Sequence, residues 1–336
     1  MGAASGFDDL FLCRLVSGFG VAALSTALTM SIADISTPLN RALSFSPIMV
    51  AFTAGGVMGP AVGGVLLDQI GMSPTFYFCG GSFVGLAVMN YFLLDETIRR
   101  PRQSFPWQEK SGTSEGEEDQ KSIKAAFQDA LGHWGPLMKI ASIRNACIMN
   151  GFYWVALAGG QITLLPLILT DTTGLSFSAT QVGQAFMGMG VVSAVASPFC
   201  ARFIDSTGPV PAIVAGCVMV SSAMFALPLC DPNHLEQLTG VLGLWALGSS
   251  FLATAPTALV SNEVDDESQR AQALALARLA SDVGMLLGAS TVGLLTDWTG
   301  GMDGAIQSSS VILATATAWY GVRNLLTARI KTAKHG

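Results

Sequence analysis

Charge is what this chain has least of. Of its 336 residues only 17 are Lys or Arg and 23 are Asp or Glu, together 12%, about half the share of an average soluble domain. Such scarcity excludes the large water-facing surface of a soluble enzyme. The net charge of −6 gives no reason to expect nucleic acid as a partner. Histidine is scarce as well: the three present are far apart, so no metal site is expected. The six cysteines, at 13, 79, 147, 200, 217 and 230, show no Cys-x-x-Cys spacing and no disulfide framework, and read as packing residues. A phosphate loop of the form Gly-x-x-x-x-Gly-Lys-Ser/Thr is missing, so ATP is not the expected driver and no cofactor is implied. Nothing in the spacing of Ser and His marks a nucleophile and its base, so an enzyme is not expected.

What fills the chain instead is apolar: 51% of residues are hydrophobic. Runs long enough to span a bilayer, roughly 20 residues each, lie near 10–33, 46–67, 75–94, 144–169, 180–204, 210–229, 237–261, 271–296 and 304–327. The expected fold is an all-α integral membrane protein of nine transmembrane helices. Between the third and fourth runs, residues 95–143 form the chain's longest charge-rich stretch and read as a linker. Within it Ile123, Phe127, Leu131 and Trp134 recur at helical spacing, the mark of an amphipathic helix lying on the membrane surface over about 122–138.

Orientation follows from Lys and Arg. The loops near 68–74, 170–179, 230–236 and 297–303 have none, while Arg41, the linker, Arg202, Arg270 and the tail with Arg329, Lys331 and Lys334 hold nearly all. By the positive-inside rule the linker and C-terminus are cytoplasmic. Nine spans then leave the N-terminus outside, with no signal peptide to carry it there.

An internal repeat accounts for that oddity. At one ungapped offset of 229 residues Asp34 meets Glu263, Arg41 meets Arg270, Gly55 meets Gly284, Gly59 meets Gly288, Gly64 meets Gly293, Asp68 meets Asp297 and Gly71 meets Gly300. Spans 1–3 therefore recur as spans 7–9 in the same orientation, and spans 4–6 lack a partner. The inferred parent has twelve spans in two parallel halves of six. This chain would carry the last three helices of the first half (1–95), the cytoplasmic linker (96–143) and a complete second half (144–330). The repeated stretch is itself unusual. From Gly55 to Gly64 six of ten residues are Gly or Pro, a content that would weaken a water-soluble helix by about 1 kcal/mol per Gly and about 3 per Pro. In a bilayer small residues instead let two helix backbones meet. Gly55, Gly59 and Gly63 form one smooth stripe, with Gly64 and the kinking Pro60 beside it.

Two six-helix halves joined by a long cytoplasmic linker resemble the major facilitator superfamily. Arg14-Leu-Val-Ser-Gly18-Phe-Gly20 resembles that family's fourth-helix motif Arg-x-x-Gln-Gly-x-Gly, with Ser17 in place of Gln. Gly59-Pro60-x-x-Gly63-Gly64, preceded by Gly55, resembles the fifth-helix motif of its drug–proton antiporter branch. Ala201-Arg-Phe-Ile-Asp205-Ser-Thr-Gly208 is similar to the second-half copy of the loop motif Gly-x-x-x-Asp-Arg-x-Gly, keeping the Asp and the second Gly. The resemblance makes the nine spans helices four to twelve of a twelve-helix fold. It implies that the fifth helix packs against its counterpart carrying Gly284 and Gly288, and that the two rock during transport.

The site residues follow from these two readings. Arg14, inside its run, is placed for proton coupling or solute contact, against the alternative of snorkelling to nearby headgroups. Asp282 lies deeper in a run than any other acid and could take up a proton or meet a cationic solute, although Arg278 four residues earlier could neutralise it. Gln161, Gln184 and Tyr153 are candidates for a central cavity, with interhelical hydrogen bonding or packing as the alternative. Asp34, Arg41, Asp205, Glu263 and Arg270 gather at cytoplasmic ends, where the resemblance implies ion pairs that latch one access state. The expected function is secondary transport of a small organic solute by alternating access, with proton-coupled drug efflux as the favoured form. The rivals are a facilitator or symporter, and a transport-inactive, truncated or regulatory protein. The expected partners are the lipid bilayer, a small organic solute and protons. A monomer in the plasma membrane or an organelle membrane is expected.

Overall fold

The computed structural model describes residues 2–3, 6–35, 41–93, 132, 134–171, 175–231, 234–264 and 267–335, and within these the side chains of all but 25–26, 29–35, 41–50, 52–53, 267–268, 271 and 325–335. Helices account for nearly all of it: α1 (Phe7–Ile35), α2 (Arg41–Ile70), α3 (Met72–Leu93), α4 (Ala141–Thr170), α5 (Ala179–Thr207), α6 (Pro209–Leu229), α7 (Leu235–Asn262), α8 (Glu267–Thr299) and α9 (Met302–His335). Among the described residues, six are long and apolar enough to cross a bilayer: α3, α4, α5, α6, α7 and, from Gln272 onward, α8. The spans expected at 10–33, 46–67 and 304–327 fall partly on side chains outside the described ones.

The chain forms two compact units. The first is Met1–Glu115 with Ser178–Gln184, the second Gly116–Phe177 with Ala185–Gly336. The first turns of α5 thus cluster with α1–α3, a division that no composition shift in the sequence marks. Most of 96–143 lies outside the described residues. Of the expected surface helix only residues 132 and 134–138 are described, and there Leu137 is buried.

The second unit is held by helices that meet backbone to backbone. On α8 the buried positions Ala273, Ala277, Ser281, Gly284, Gly288 and Val292 recur every three or four residues, one face of a helix. Gly284 and Gly288 lie so close to the Gly151 and Val155 carbonyls of α4 that a methyl group at either would collide with main chain. Gly216 on α6 and Gly248 on α7 meet in the same way. Polar groups fasten the crossings: the Asn150 amide donates to the Ser281 hydroxyl (2.7 Å) and the Ala277 carbonyl (3.2 Å). Ser310 on α9 donates to the Ser221 carbonyl of α6 at 2.9 Å, and Ser193 on α5 to the Ala246 carbonyl of α7 at 3.0 Å. In a bilayer the hydrophobic effect does not drive helices together, so close packing and such hydrogen bonds must.

The glycine stripes have partners other than the resemblance implied. Gly284 and Gly288 pack on α4, and Gly64 of α2 meets the Ala179 carbonyl of α5. Among the described residues, and apart from the surrounding backbone of α2 itself, nothing lies within 4 Å of where a Cβ of Gly55, Gly59 or Gly63 would stand. The reason is local geometry: each small residue docks the main chain of whichever helix crosses at its own level, and the glycines of one stripe lie at different levels.

Candidate functional site

A charged pair sits in the middle of α8. Asp282 is ten residues in from Gln272, where the 28-residue candidate span begins, about 15 Å along the helix at 1.5 Å per residue. Its carboxylate forms an ion pair with the Arg278 guanidinium, one turn earlier, with Nε and Oδ1 3.3 Å apart. Both side chains are exposed, Arg278 by 75% and Asp282 by 55%, because they project from the side of α8 opposite its buried glycine face. The sequence reading allowed for a buried Asp282; the structure makes it an open, ion-paired group. Hydrocarbon is a costly environment for such a pair, so a face like this belongs against water or polar protein.

On α4 the helix widens to a π-helical turn over Leu157–Leu164, a feature common at functional positions. Thr163 donates to the Ala158 carbonyl at 2.8 Å, and the Leu165 amide donates to the Gly160 carbonyl. Gln161 lies in this turn, with its carbonyl oxygen enclosed and unmatched by a donor, an arrangement that costs about 1–3 kcal/mol unless something fills it. Tyr153, two turns earlier, is only 4% exposed. Its ring meets Trp154 edge-on, with centroids 6.0 Å apart, and its hydroxyl faces Ser249. It packs inside the second unit and lines no open surface. An apolar cleft of about 330 Å³, counting its open mouth, lies beside the π turn, lined by Phe152 and Gly159 of α4, Gly288 and Val292 of α8, and Ser309 and Ile312 of α9. It holds neither the ion pair nor Gln161.

The remaining expected residues are scattered. Arg14 is exposed on α1 and Gln184 on α5. Ser17, the departure from the fourth-helix motif, gives its hydroxyl to the Cys13 carbonyl at 2.7 Å. The side chains of Asp34 and Arg41 lie outside the described ones. Asp205 is exposed near the end of α5, Glu263 stands half-exposed after α7, and Arg270 spends its guanidinium on the Val264 carbonyl, at 3.2 and 3.1 Å. The loop motif does have a structural use. Gly208, its last residue, takes φ 92° and ψ 162°, a conformation essentially restricted to glycine, and lets α6 start one residue after α5 ends.

Sequence reasoning missed Asp68. It ends the apolar run of α2, and its two carboxylate oxygens accept the main-chain N–H groups of Ala179 (3.2 Å) and Thr180 (2.8 Å). The hydroxyl and N–H of Thr180 hold its carboxyl below the ordinary value of 3.8. The legible signal was Ser178-Ala-Thr-Gln181, a capping box. In the structure the Ser178 N–H donates to the Gln181 side-chain oxygen (2.9 Å) and the Gln181 N–H to the Ser178 hydroxyl (3.3 Å).

Similarity to known proteins agrees with this architecture. An uncharacterized MFS-type transporter of Methanocaldococcus jannaschii is 24% identical over 250 residues, 74% of this chain and 58% of that protein. The class C tetracycline resistance protein of Escherichia coli is 25% identical over 321 residues, 93% of this chain and 68% of that one. The chain thus spans little more than half the length of the first of these relatives. In fold it is similar to a bacterial homolog of the human lysosomal transporter Spinster, solved in an inward-facing, unoccupied conformation: TM-score 0.74 at 19% identity, covering 96% of this chain and 78% of that one. Residues 1–177 and 155–334 each match the family model named Major Facilitator Superfamily, and with both parts matched the chain belongs to that superfamily.

Proposed function

We propose that this chain is the greater part of a secondary transporter that moves a small organic solute across a membrane by alternating access, with proton-coupled efflux as its mode. Its nine helices among the described residues stand for helices four to twelve of a twelve-helix fold, with the linker and C-terminus cytoplasmic and the protein acting as a monomer in the plasma membrane or an organelle membrane. The observation that carries the reading is the open Arg278–Asp282 pair at mid-span. A charged face at that depth suits a water-filled path, and a carboxylate there suits a coupling site. Arg14, Gln161 and Gln184 are the further polar contacts offered to a solute, and the names of the relatives, tetracycline resistance among them, favour an organic solute. Asp205, Glu263 and Arg270, with Asp34 and Arg41, are proposed to hold the cytoplasmic side closed in one access state.

One observation favours a second reading for the 336-residue chain by itself. Gly284 and Gly288 are covered by α4, whereas their repeat counterparts Gly55 and Gly59 face open space. A helix equivalent to α4 would fill it, and the second reading is that these 336 residues by themselves do not complete a transport cycle. The test is flux in proteoliposomes under an imposed pH gradient, with tetracycline and fluorescent organic cations as probes. Transport by the proposed mechanism is saturable, driven by the gradient and abolished by Asp282→Asn. Saturable flux indifferent to the gradient would instead establish a facilitator. Absence of flux, restored when three preceding helices are supplied, establishes the second reading.

A further inference from the structure

The first turn of α5 is capped from two sources. Its own Ser178 and Gln181 satisfy the third free N–H and the cap residue's N–H. The first two free N–H groups, of Ala179 and Thr180, have no acceptor from their own turn, and both go to Asp68, 111 and 112 residues away on α2. A carboxylate there gains from charged hydrogen bonds and from the positive end of the helix dipole together. Below this cap α2 and α5 cross with almost no side chain between them. A methyl group at Gly64 would collide with the Ala179 carbonyl, and one at Gly183 with the Pro60 carbonyl. At these two points the crossing is made by Gly64 against Ala179 and Thr180 and by Gly183 against Pro60 and Ala61, main chain meeting main chain. The ionic cap adds a specific hold on this end of α5, which runs on beyond Gln184 as one helix.

We propose that Asp68 and the first turn of α5 form a releasable clasp, and that its opening frees the outer end of α5 from α2. Contacts with these properties suit a moving joint. The glycine crossing offers a smooth surface to part along, and two hydrogen bonds to one carboxylate can break without exposing a core. The placement on the outer side rests on the transporter reading; the clasp does not.

The test uses the 336-residue chain in lipid nanodiscs. Ala61→Cys places a thiol at the crossing, and its reaction with a membrane-impermeant methanethiosulfonate is followed by peptide mass spectrometry. Buried Cys217 of α6 reports loss of fold. Adding Asp68→Ala is expected to raise the rate at the introduced thiol about tenfold, the scale of losing a strong helix cap, while Cys217 stays protected. Asp68→Asn, which keeps one acceptor oxygen, is expected to give a smaller rise. An unchanged rate in Asp68→Ala overturns the clasp. If Asp68→Ala also unmasks Cys217, Asp68→Asn decides: a rise at the introduced thiol alone supports the clasp, and none overturns it. No solute is needed, so a failure of the transport reading leaves this result standing.

Discussion

Gly288 and Gly55 should respond oppositely to the same substitution. In an open helix Gly→Ala is favourable by about 0.5–1 kcal/mol, because the unfolded chain loses freedom. At Gly288 the new methyl meets the Val155 carbonyl, which is main chain and has no rotamer to retreat into. The crossing of α4 and α8 must widen, and overpacking of this kind costs about 1–3 kcal/mol. The net expectation for Gly288→Ala is a loss of about 1–2 kcal/mol, and Gly284→Ala, set against the Gly151 carbonyl, should behave alike. Gly55→Ala finds nothing within 4 Å and should be neutral or stabilising by up to about 1 kcal/mol. The assay is thermal unfolding of the purified 336-residue chain in detergent, followed by loss of the monodisperse peak on gel filtration. Equal destabilisation at positions 55 and 288, or a neutral result at 288, would refute the packing argument. Supplying three preceding helices should turn Gly55→Ala into a destabilising change, since a helix equivalent to α4 would then lie against it.

Three more outcomes follow. Gly208→Ala forces a side chain into φ 92° and should cost about 1–3 kcal/mol, measured in the same melt. Asn150→Ala deletes the link from α4 to Ser281 and the Ala277 carbonyl, and should cost about 1 kcal/mol, the scale of interhelical hydrogen bonds in membranes. The Asp68 cap should be indifferent to pH between 5 and 8. Its carboxyl is held below 3.8, so its contribution is complete above that ordinary value and fades only as pH falls through the lower folded one. No ionisable side chain comes from 178–184 to alter this, and a rise in amide exchange at Ala179 and Thr180 with a midpoint near neutrality, after correction for intrinsic rates, would contradict it.

How far the sequence could be read depended on whether a feature repeats or stands alone. Helix content was legible because an apolar run in a bilayer has few ways to satisfy its backbone. The Gly284 and Gly288 stripe was legible as a backbone-contact face, since small residues at a spacing of four have little other use in a span. Which helix would cover it was not. The spacing shows that Gly284 and Gly64 face other main chain, but not that the first meets α4 and the second α5, because partner choice depends on tilt and depth, and neither is written in spacing. Tyr153 was misleading for a related reason. A tyrosine has one apolar face and one polar tip, so it suits a cavity wall or a packed interior equally well, and only its 4% exposure decides for the interior. Asp68 was missed because a single acid after an apolar run reads as an ordinary loop charge. Its meaning lies in a helix start more than a hundred residues later.

Asp68 and Asp282 also show why position in a span does not by itself mark a coupling acid. Both are carboxylates on glycine-bearing helices, but they are satisfied in different ways. Asp68 is held by two N–H groups of fixed helical backbone together with the Thr180 and Ser178 hydroxyls, a set that favours the carboxylate over the protonated acid. Asp282 is held by one long, exposed side chain of its own helix, and an arginine can swing away without any backbone rearranging. A group that trades a proton during a cycle needs neighbours that differ between access states, and an exposed guanidinium can differ by side-chain rotation alone, whereas the partners of Asp68 change only when two helices part. Of the two acids, Asp282 therefore has the surroundings that the proposed coupling would use, and Asp68 has those of the proposed clasp, held or released as a carboxylate by a helix start.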